Sequence, residues 1–361
     1  MYLDPLKIIN TYRKNNNSKL NKSIIVSYRE SSEERKYNLK CVLEYLSYVM
    51  DKESEIIIVE QDDTPKVDWL HEIRGYQFIK HIFIENDGIF NKGWGYNVGA
   101  KSAESDVLIF HDSDIFIKPQ TFIIAIQSLK TVDVINPYQS VVFLDEESSK
   151  LFKEHKYSFA IGNKFKPVLH TIITGGIFFI KKQTFFKLKG FDEECYGYGH
   201  EDDILDEKIR KLGLNVKTLN DVSIHMYHET VTNSNDLYYS FVEINKQLFA
   251  EYVSMTQQQI LNKIENIEVW GDVDDYQSDE KSMRHIKRAI YEKTSEKIIE
   301  HVLSKFTEDY MDEIVNNIST KIYNDIVEVM AEKVKQELNS ITYSNNEKQS
   351  MLRNIMKKFR L

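Results

Sequence analysis

Four short apolar runs near the start of the chain are the feature that most limits its fold. They are rich in β-branched residues, and helical patterns or polar turns separate them. The runs cover residues 23–28, 55–60, 77–85 and 106–110. Uniformly apolar strands that alternate with helices are typical of a parallel sheet covered on both faces. The sequence therefore predicts an α/β fold built around such a sheet.

Polar residues follow each predicted strand and indicate where a ligand would bind. In open α/β sheets, ligands bind beyond the carboxyl ends of the strands. Arg29, Asp62, Asp87 and Asp112 each stand within a residue or two of the end of a run. We therefore expect these four side chains along one rim of the sheet.

The middle of the chain supplies a second set of elements. Residues 171–180, TIITGGIFFI, are predicted to form a strand that contains Gly175 and Gly176. Paired glycines in a strand mark a close backbone approach to a ligand or another chain segment. A helix over residues 201–212 follows, and then a strand that leads to His225 and His228. Residues three apart on a continuous strand point to opposite faces, so on a continuous strand only one histidine would line a site.

Composition limits the classes of function. The net charge of -9 argues against broad nucleic-acid binding, and we expect no nucleic-acid partner. Two cysteines, Cys41 and Cys195, exclude a disulfide framework. The polar first twenty residues predict no signal peptide, and no apolar stretch reaches the roughly 18 residues that a membrane span needs. These features together predict a cytoplasmic protein.

The chain of 361 residues exceeds what one core usually organises. We predict a domain over residues 1–240 and a helical region over 241–361. Residues 294–338 have apolar positions every three or four residues, which favours helices that pack on the domain or on a second copy. Residues 351–361 form a basic amphipathic pattern. It predicts either peripheral contact with the inner membrane face or docking on the preceding helices.

Asp112-Ser113-Asp114 directly follows a predicted buried strand. Two carboxylates separated by one residue suit a hard divalent cation that also holds a diphosphate. Acidic turns of this kind often only accept backbone hydrogen bonds, so the triplet alone leaves both interpretations open.

Residues 196–203, YGYGHEDD, combine aromatic rings with three consecutive acids. Acids at the start of a helix are favoured by the helix dipole and often only cap it. The two tyrosines and two glycines before them favour a sugar platform, because aromatic rings stack on the apolar faces of sugars. A carboxylate beside such a platform can act as a general base.

At this point a series of motifs resembles a known family. In chain order it consists of Phe90-Asn91-Lys92, Asn97-Val98-Gly99, Asp112-Ser113-Asp114, Gly175-Gly176, Gly190-Phe191 and Tyr196-Gly197-Tyr198-Gly199-His200-Glu201-Asp202-Asp203. The order and spacing resemble those of inverting glycosyltransferases with the GT-A fold, which is Rossmann-like. The similarity is greatest to the β-1,4-galactosyltransferases and to the bacterial chondroitin-polymerase-type, family 2-like domains. It covers roughly residues 24–236.

The resemblance implies a role for each matching residue. It makes Asp202 the catalytic base, with Glu201 and Tyr198 as acceptor-binding residues. It implies that Asp114 and His228 bind the metal, with His225 in reserve, and that the ion is Mn²⁺ or Mg²⁺. A larger set is implied to bind the nucleotide-sugar, namely Tyr28, Arg29, Phe90, Lys92, Asp112, Gly175 and Gly176.

Two departures from the family pattern concern specificity. Tyr196 and Tyr198 replace tryptophans, and Lys92 stands where the galactosyltransferases have arginine, which keeps the charge but loses the bidentate geometry. The expected function is metal-dependent, inverting transfer from a UDP-sugar of the Gal, GalNAc, Glc or GlcNAc type to a carbohydrate hydroxyl. The acceptor could be lipid-linked, as in surface-polysaccharide synthesis. The alternatives are a non-catalytic carbohydrate-binding protein and a metal-dependent phosphoesterase.

Overall fold

A computed structural model describes residues 22–50, 54–74, 78–86, 88–229 and 241–273, which all belong to one compact unit. Its strands are β1 Lys22–Tyr28, β2 Ser54–Asp62, β3 Ile79–Glu85, β4 Val107–His111, β5 Ile115–Phe116, β6 Val134–Asn136, β7 Ser140–Phe143, β8 Val168–Leu169, β9 Ile177–Lys181, β10 Val216–Thr218 and β11 Val222–His225. Its α-helices are α1 Glu33–Val49, α2 Lys92–Ser102, α3 Pro119–Ser128, α4 Glu146–Glu154, α5 Lys182–Lys187, α6 Glu201–Lys211, α7 Val242–Ser254 and α8 Gln257–Glu265.

The core is a seven-stranded sheet with the order β10-β6-β9-β4-β1-β2-β3. The four strands predicted from the apolar runs lie side by side and pair in parallel. Ile24 of β1 stands opposite Ile56 on one side and Ile109 on the other. The predicted parallel sheet is thus correct for these strands. The complete sheet is mixed, because β9 runs antiparallel to β4 and β6.

Helix α2 lies very close to the sheet and thereby places its first residue at the rim. A Cβ added at Gly95 would meet Ser27 Oγ at 2.1 Å, and one at Gly99 would meet Ile25 Cγ2 at 2.3 Å. The helix begins after Asn91, whose side chain accepts a hydrogen bond from the backbone N–H of Trp94. Lys92 therefore occupies the first turn, beyond the carboxyl ends of the parallel strands.

A second sheet, with the order β5-β11-β7-β8, carries the metal-ligand candidates. Strand β11 pairs antiparallel with β5, so that His225 stands opposite Ile115. The backbone N–H of Met226 donates to the carbonyl of Asp114 at 2.8 Å, which continues the pairing by one residue. This register brings two segments that are far apart in sequence into contact at the site.

The predicted strand over residues 171–180 begins only at Ile177. Gly175 and Gly176 lie in the loop before β9 and not inside the strand. Gly176 has a φ of +76°, and a Cβ there would meet Tyr138 Oη at 2.4 Å. A residue in the left-handed region interrupts an extended strand, and the close tyrosine leaves no room for a side chain.

The described residues after position 241 pack against the α/β core. Helices α7 and α8 form a small apolar cluster with α6, made of Cys195, Ile204, Leu248, Tyr252, Ile260 and Ile264. The domain boundary at residue 240 stays a prediction. The predicted helices in 294–338 and the basic segment 351–361 lie outside the described residues. Within the described ranges, no helix combines the length and apolar character needed to cross a membrane.

Candidate active site

Asp114, His225 and His228 form a cluster, here called the cation cluster, that could hold a metal ion. The carboxylate of Asp114 is buried, and the Nε2 atoms of His225 and His228 each lie 3.4 Å from one of its oxygens. One potential ligand atom from each residue falls within 4.8 Å of the others. A carboxylate and two imidazoles at this spacing are a plausible donor set for a divalent ion.

The backbone orients both imidazoles for coordination. Nδ1 of His225 lies 2.7 Å from the carbonyl oxygen of Met226, and Nδ1 of His228 lies 3.1 Å from that of Glu229. Because a carbonyl only accepts, each Nδ1 carries a proton, and each Nε2 is the ring atom that faces Asp114 and can bind a metal when it is unprotonated. Burial and the nearby Arg35 guanidinium also lower the pKa of His228, which favours the neutral, metal-binding form.

Both histidines face Asp114 because β11 ends at His225. The opposite-face argument holds only for a continuous strand, and the chain leaves the strand before His228. The structure therefore brings together all three residues that the resemblance names as metal ligands.

Arg35 belongs to the same cluster, although sequence reasoning did not identify it. Its Nη1 lies 3.4 Å from Asp114 Oδ2. The side chain of Ser32 caps α1 by accepting from the backbone N–H of Arg35, which places the arginine in the first turn at the rim. Burial opposes ionisation of Asp114, but His225, Arg35 and His228 outweigh it and hold its pKa below the usual value.

A second group, here called the carboxylate cluster, surrounds Lys92. Its ammonium lies 2.8 Å from Asp112 Oδ1 and 3.4 Å from Glu201 Oε1. Tyr96, one turn further along α2, donates its hydroxyl to Asp112 Oδ1 at 2.6 Å. Burial disfavours the Lys92 charge, but Asp112, Glu201 and Asp202 raise its pKa well above the usual value. Lys92 therefore links the Asp-x-Asp segment to the acids that begin α6.

The two acids at the start of α6 hold their protons more tightly than free carboxylic acids. Burial and the neighbouring charge of Asp202 raise the pKa of Glu201 to about 7. Burial also raises the pKa of Asp202, although Lys92 acts in the opposite direction. Thr174 donates its hydroxyl to the backbone carbonyl of Asp202 at 2.8 Å, which fixes this turn against the loop before β9.

Gly175 lies between Asp202 and a histidine that the sequence did not indicate. A Cβ added at Gly175 would lie 3.2 Å from Asp202 Oδ2 and 3.1 Å from His170 Nε2. That Nε2 atom is buried and has no hydrogen-bond partner within the described part of the chain. The glycine thus lets its backbone approach the Asp202 carboxylate. The approach to a donor sugar that the resemblance implies stays a prediction.

A model of the family described as glycosyltransferase like family 2 matches residues 23–248, which is more than half of the chain. The chain belongs to this family. Membership and the mixed α/β sheet confirm the GT-A fold and the enzyme class that the motif series indicated. No curated protein matches the sequence.

Among solved structures, the crystal structure of GalNAc-T7 with UDP, GalNAc and Mn²⁺ is similar to this glycosyltransferase family member, with 15% identity and a TM-score of 0.44. The match covers 80% of this chain and 58% of that one, so the chain spans a little over half of that protein's length.

Three further residues predicted to bind the nucleotide-sugar lie at the rim of the sheet in this family 2-like glycosyltransferase, namely Tyr28, Arg29 and Phe90. The Arg29 guanidinium donates to the carbonyls of Gln61, Asn86 and Gly88 at 2.6–2.7 Å, and its centre lies 5.6 Å from the Phe90 ring. Arg29 thus joins the loops that follow β2 and β3. Tyr28 is buried, so a direct contact with the nucleotide stays a prediction.

The two tyrosines of the predicted sugar platform differ. The Tyr198 side chain is 49% exposed, whereas that of Tyr196 is 1% exposed and lies beside Phe241. A buried ring cannot stack on a sugar, so only Tyr198 can serve as a platform.

Proposed function

We propose that this protein transfers a hexose or N-acetylhexosamine from a UDP-sugar to a carbohydrate hydroxyl, with inversion and with a divalent cation. The observation that supports the proposal most is the position of Asp112-Ser113-Asp114 between two clusters of polar side chains. Asp114 belongs to the cation cluster, and Asp112 pairs with Lys92 in the carboxylate cluster. A donor diphosphate and an acceptor hydroxyl require two such sites side by side.

The cation cluster fits a metal ion that holds the donor. Two imidazole nitrogens and one carboxylate suit Mn²⁺ better than Mg²⁺, which prefers oxygen ligands. When bound, the ion supplies Lewis-acid stabilisation of the charge that develops on the departing diphosphate. Asp114, His225 and His228 hold and orient it. Arg35 places a further positive charge beside the same space, where it stabilises phosphate oxygens.

Asp202 is proposed to take the proton from the attacking acceptor hydroxyl. A base works best when its pKa is near the operating pH, and the raised pKa of Asp202 is a change in that direction. Attack by the hydroxyl on the face opposite the diphosphate inverts the anomeric carbon in one displacement. Tyr198 supports the acceptor ring, and Glu201 accepts hydrogen bonds from its hydroxyls.

The test is a panel of UDP-Glc, UDP-Gal, UDP-GlcNAc and UDP-GalNAc with p-nitrophenyl glycosides of the same four sugars as acceptors, in Mn²⁺. We expect a disaccharide product by mass spectrometry and no product in excess EDTA. Hydrolysis of a phosphoester without sugar transfer would support the phosphoesterase alternative. Glycan binding without release of UDP would support a carbohydrate-binding protein.

The proposals for the C-terminal region rest on sequence alone. We propose that residues 351–361 contact an anionic membrane surface, which would suit a lipid-linked acceptor in surface-polysaccharide synthesis. Liposome flotation of the full chain against a chain that ends at Ser350 tests this. Equal flotation of the two would favour docking on the other helices or on a second copy.

A further inference from the structure

Residues 196–200, here called the acceptor loop, adopt an unusual backbone conformation just before α6. Gly197, Gly199 and His200 have φ values of +65°, +94° and +71°. His200 is not a glycine, and a left-handed conformation is unfavourable for such a residue. The surrounding structure must therefore hold this loop in place, since the loop presents Tyr198 and sets where Glu201 and Asp202 begin the helix.

Asn245 on α7 holds the loop through two hydrogen bonds. Its side chain is fully buried, and its amide nitrogen lies 2.7 Å from the carbonyl oxygen of Tyr196 and 3.1 Å from that of Tyr198. Both partners can only accept, so both hydrogen bonds require an amide donor at this position. The two carbonyls flank Gly197, and one side chain thereby fixes both sides of a left-handed residue.

Two further contacts also support the loop. His200 stacks on Phe249, with ring centroids 5.2 Å apart and an interplanar angle of 9°. Asn245 and Phe249 are four residues apart, and thus lie on one face of α7. The opposite side of the loop is held by the backbone, where the N–H of Gly197 donates to the carbonyl of Phe90 at 3.0 Å.

We propose that Asn245 is a positioning residue for acceptor binding, and that α7, which lies beyond the motif series, completes the acceptor site. Asn245 touches neither sugar in this proposal. It acts through the carbonyls of Tyr196 and Tyr198, which keep the Tyr198 ring and the first turn of α6 in a fixed arrangement. The inference rests on the proposed function, because it assigns the loop to the acceptor.

The main variant is Asn245→Ala, with Asn245→Ser as a milder change that retains one donor. We expect Asn245→Ala to raise the KM for the accepted p-nitrophenyl glycoside at least tenfold. The KM for the UDP-sugar should stay within about twofold, because the two hydrogen bonds of the Asn245 amide go to the acceptor loop and not to the cation cluster. Asn245→Ser should give an intermediate KM for the glycoside.

Tyr252→Phe is the matched control on the same helix. The hydroxyl of Tyr252 donates to Asp192 Oδ2 at 2.7 Å, so the change removes a buried hydrogen bond that docks α7 but does not touch the loop. It should lower the free energy of unfolding and leave the KM for the glycoside unchanged. An equal rise of that KM in Tyr252→Phe and Asn245→Ala would show that only helix docking matters, and would overturn the proposal.

Hydrogen exchange of the peptide that covers residues 196–200 provides a measurement independent of activity. Asn245→Ala should speed exchange in this peptide, and Tyr252→Phe should not. If the wild-type protein transfers no sugar, the proposed function fails, but exchange still decides whether Asn245 holds the loop. Unchanged exchange in Asn245→Ala would refute the positioning role even if transfer is confirmed.

Discussion

The cation cluster and the carboxylate cluster both contain buried acids, but the acids behave in opposite ways. Asp114 has a lowered pKa because His225, Arg35 and His228 outweigh its burial. Glu201 has a pKa raised to about 7 because burial acts together with the charge of Asp202. Identical carboxyl groups are thus suited to different tasks by their neighbours. One is kept ionised to hold a cation, and the others are brought closer to a pH at which they can exchange a proton.

The two clusters also differ in how the backbone holds them. Strand pairing between β5 and β11 fixes Asp114 against the histidines. The acids of the carboxylate cluster begin a helix, and a loop with several left-handed residues sets their position. Damage to the first cluster should therefore act mainly on the donor and the metal. Substitution of Asp202 or Glu201 in the second should slow proton transfer or weaken acceptor binding.

The largest expected effect comes from Asp114→Ala. The change removes the carboxylate from the cation cluster and leaves His225 and His228 beside Arg35. We expect transfer to fall by about 10³-fold or more, because stabilisation of the leaving diphosphate is lost. UDP binding in Mn²⁺, measured by calorimetry, should weaken as well. Full wild-type activity in excess EDTA would contradict the role given to this cluster.

Asp202→Asn should have the next largest effect. The change keeps the shape of the side chain but removes the base, so turnover should fall by roughly 10²–10⁴-fold. Donor affinity should remain nearly unchanged, since Asp202 is not part of the cation cluster. Glu201→Gln is the comparison variant. A greater loss of turnover in Glu201→Gln than in Asp202→Asn would identify Glu201 as the base.

The histidine variants compare two members of the cation cluster. His228→Ala should raise the Mn²⁺ concentration for half-maximal activity by at least roughly 10- to 100-fold, because the loss of a residue that only supports a metal ligand already has an effect of that size. His225→Ala should raise this concentration less, because the resemblance implies His228 as the principal metal-binding histidine. Titration of each variant with Mn²⁺ at saturating UDP-sugar measures the difference. The reverse order would make His225 the principal ligand.

The smallest expected effect concerns the pH dependence of stability. The folded protein holds a proton on Glu201 up to about pH 7, whereas an unfolded chain loses it near the ordinary glutamate pKa of 4.5. The folded state therefore binds more protons between these values, and this group lowers the free energy of unfolding as pH rises. The free energy of unfolding of Glu201→Gln, measured with urea, should rise relative to that of the wild type by about 1–2 kcal/mol between pH 5 and pH 8.

Glu104→Gln serves as the control for that measurement, because Glu104 is exposed and follows the end of α2 that is opposite to Lys92. Its stability relative to the wild type should not change with pH. A constant difference between Glu201→Gln and the wild type would show that the charge at position 201 is well solvated. That result would contradict the opposite pKa shifts described for the acids of the two clusters.

Several of the regular elements could be predicted from local sequence pattern. The apolar runs that correspond to β1 to β4, and the predicted helix that corresponds to α6, lie within about two residues of the observed ends. The side chains that specify these elements are only a few positions apart, so the periodicity of the sequence is enough to predict them. The resemblance likewise implied Asp114 and His228 as metal ligands, with His225 in reserve, and the structure places the three together.

Contacts between distant segments could not be predicted in this way. The loop at Gly175 and Gly176 was assigned to a strand, because nothing in the local pattern reveals that Tyr138 would occupy the space of a side chain at Gly176. Arg35 looks like an ordinary exposed helix residue, and its partner Asp114 stands 79 positions later.

The sequence by itself determined the fold class, the family and the residue types that could carry the reaction. Only the tertiary structure decided which acids are ionised and which residues hold the acceptor loop. The reason is that the proton affinity of a carboxyl group depends on burial and on charges within a few ångströms. Those neighbours come from other elements, such as α1 for Asp114, α2 for Glu201 and α7 for the loop before it.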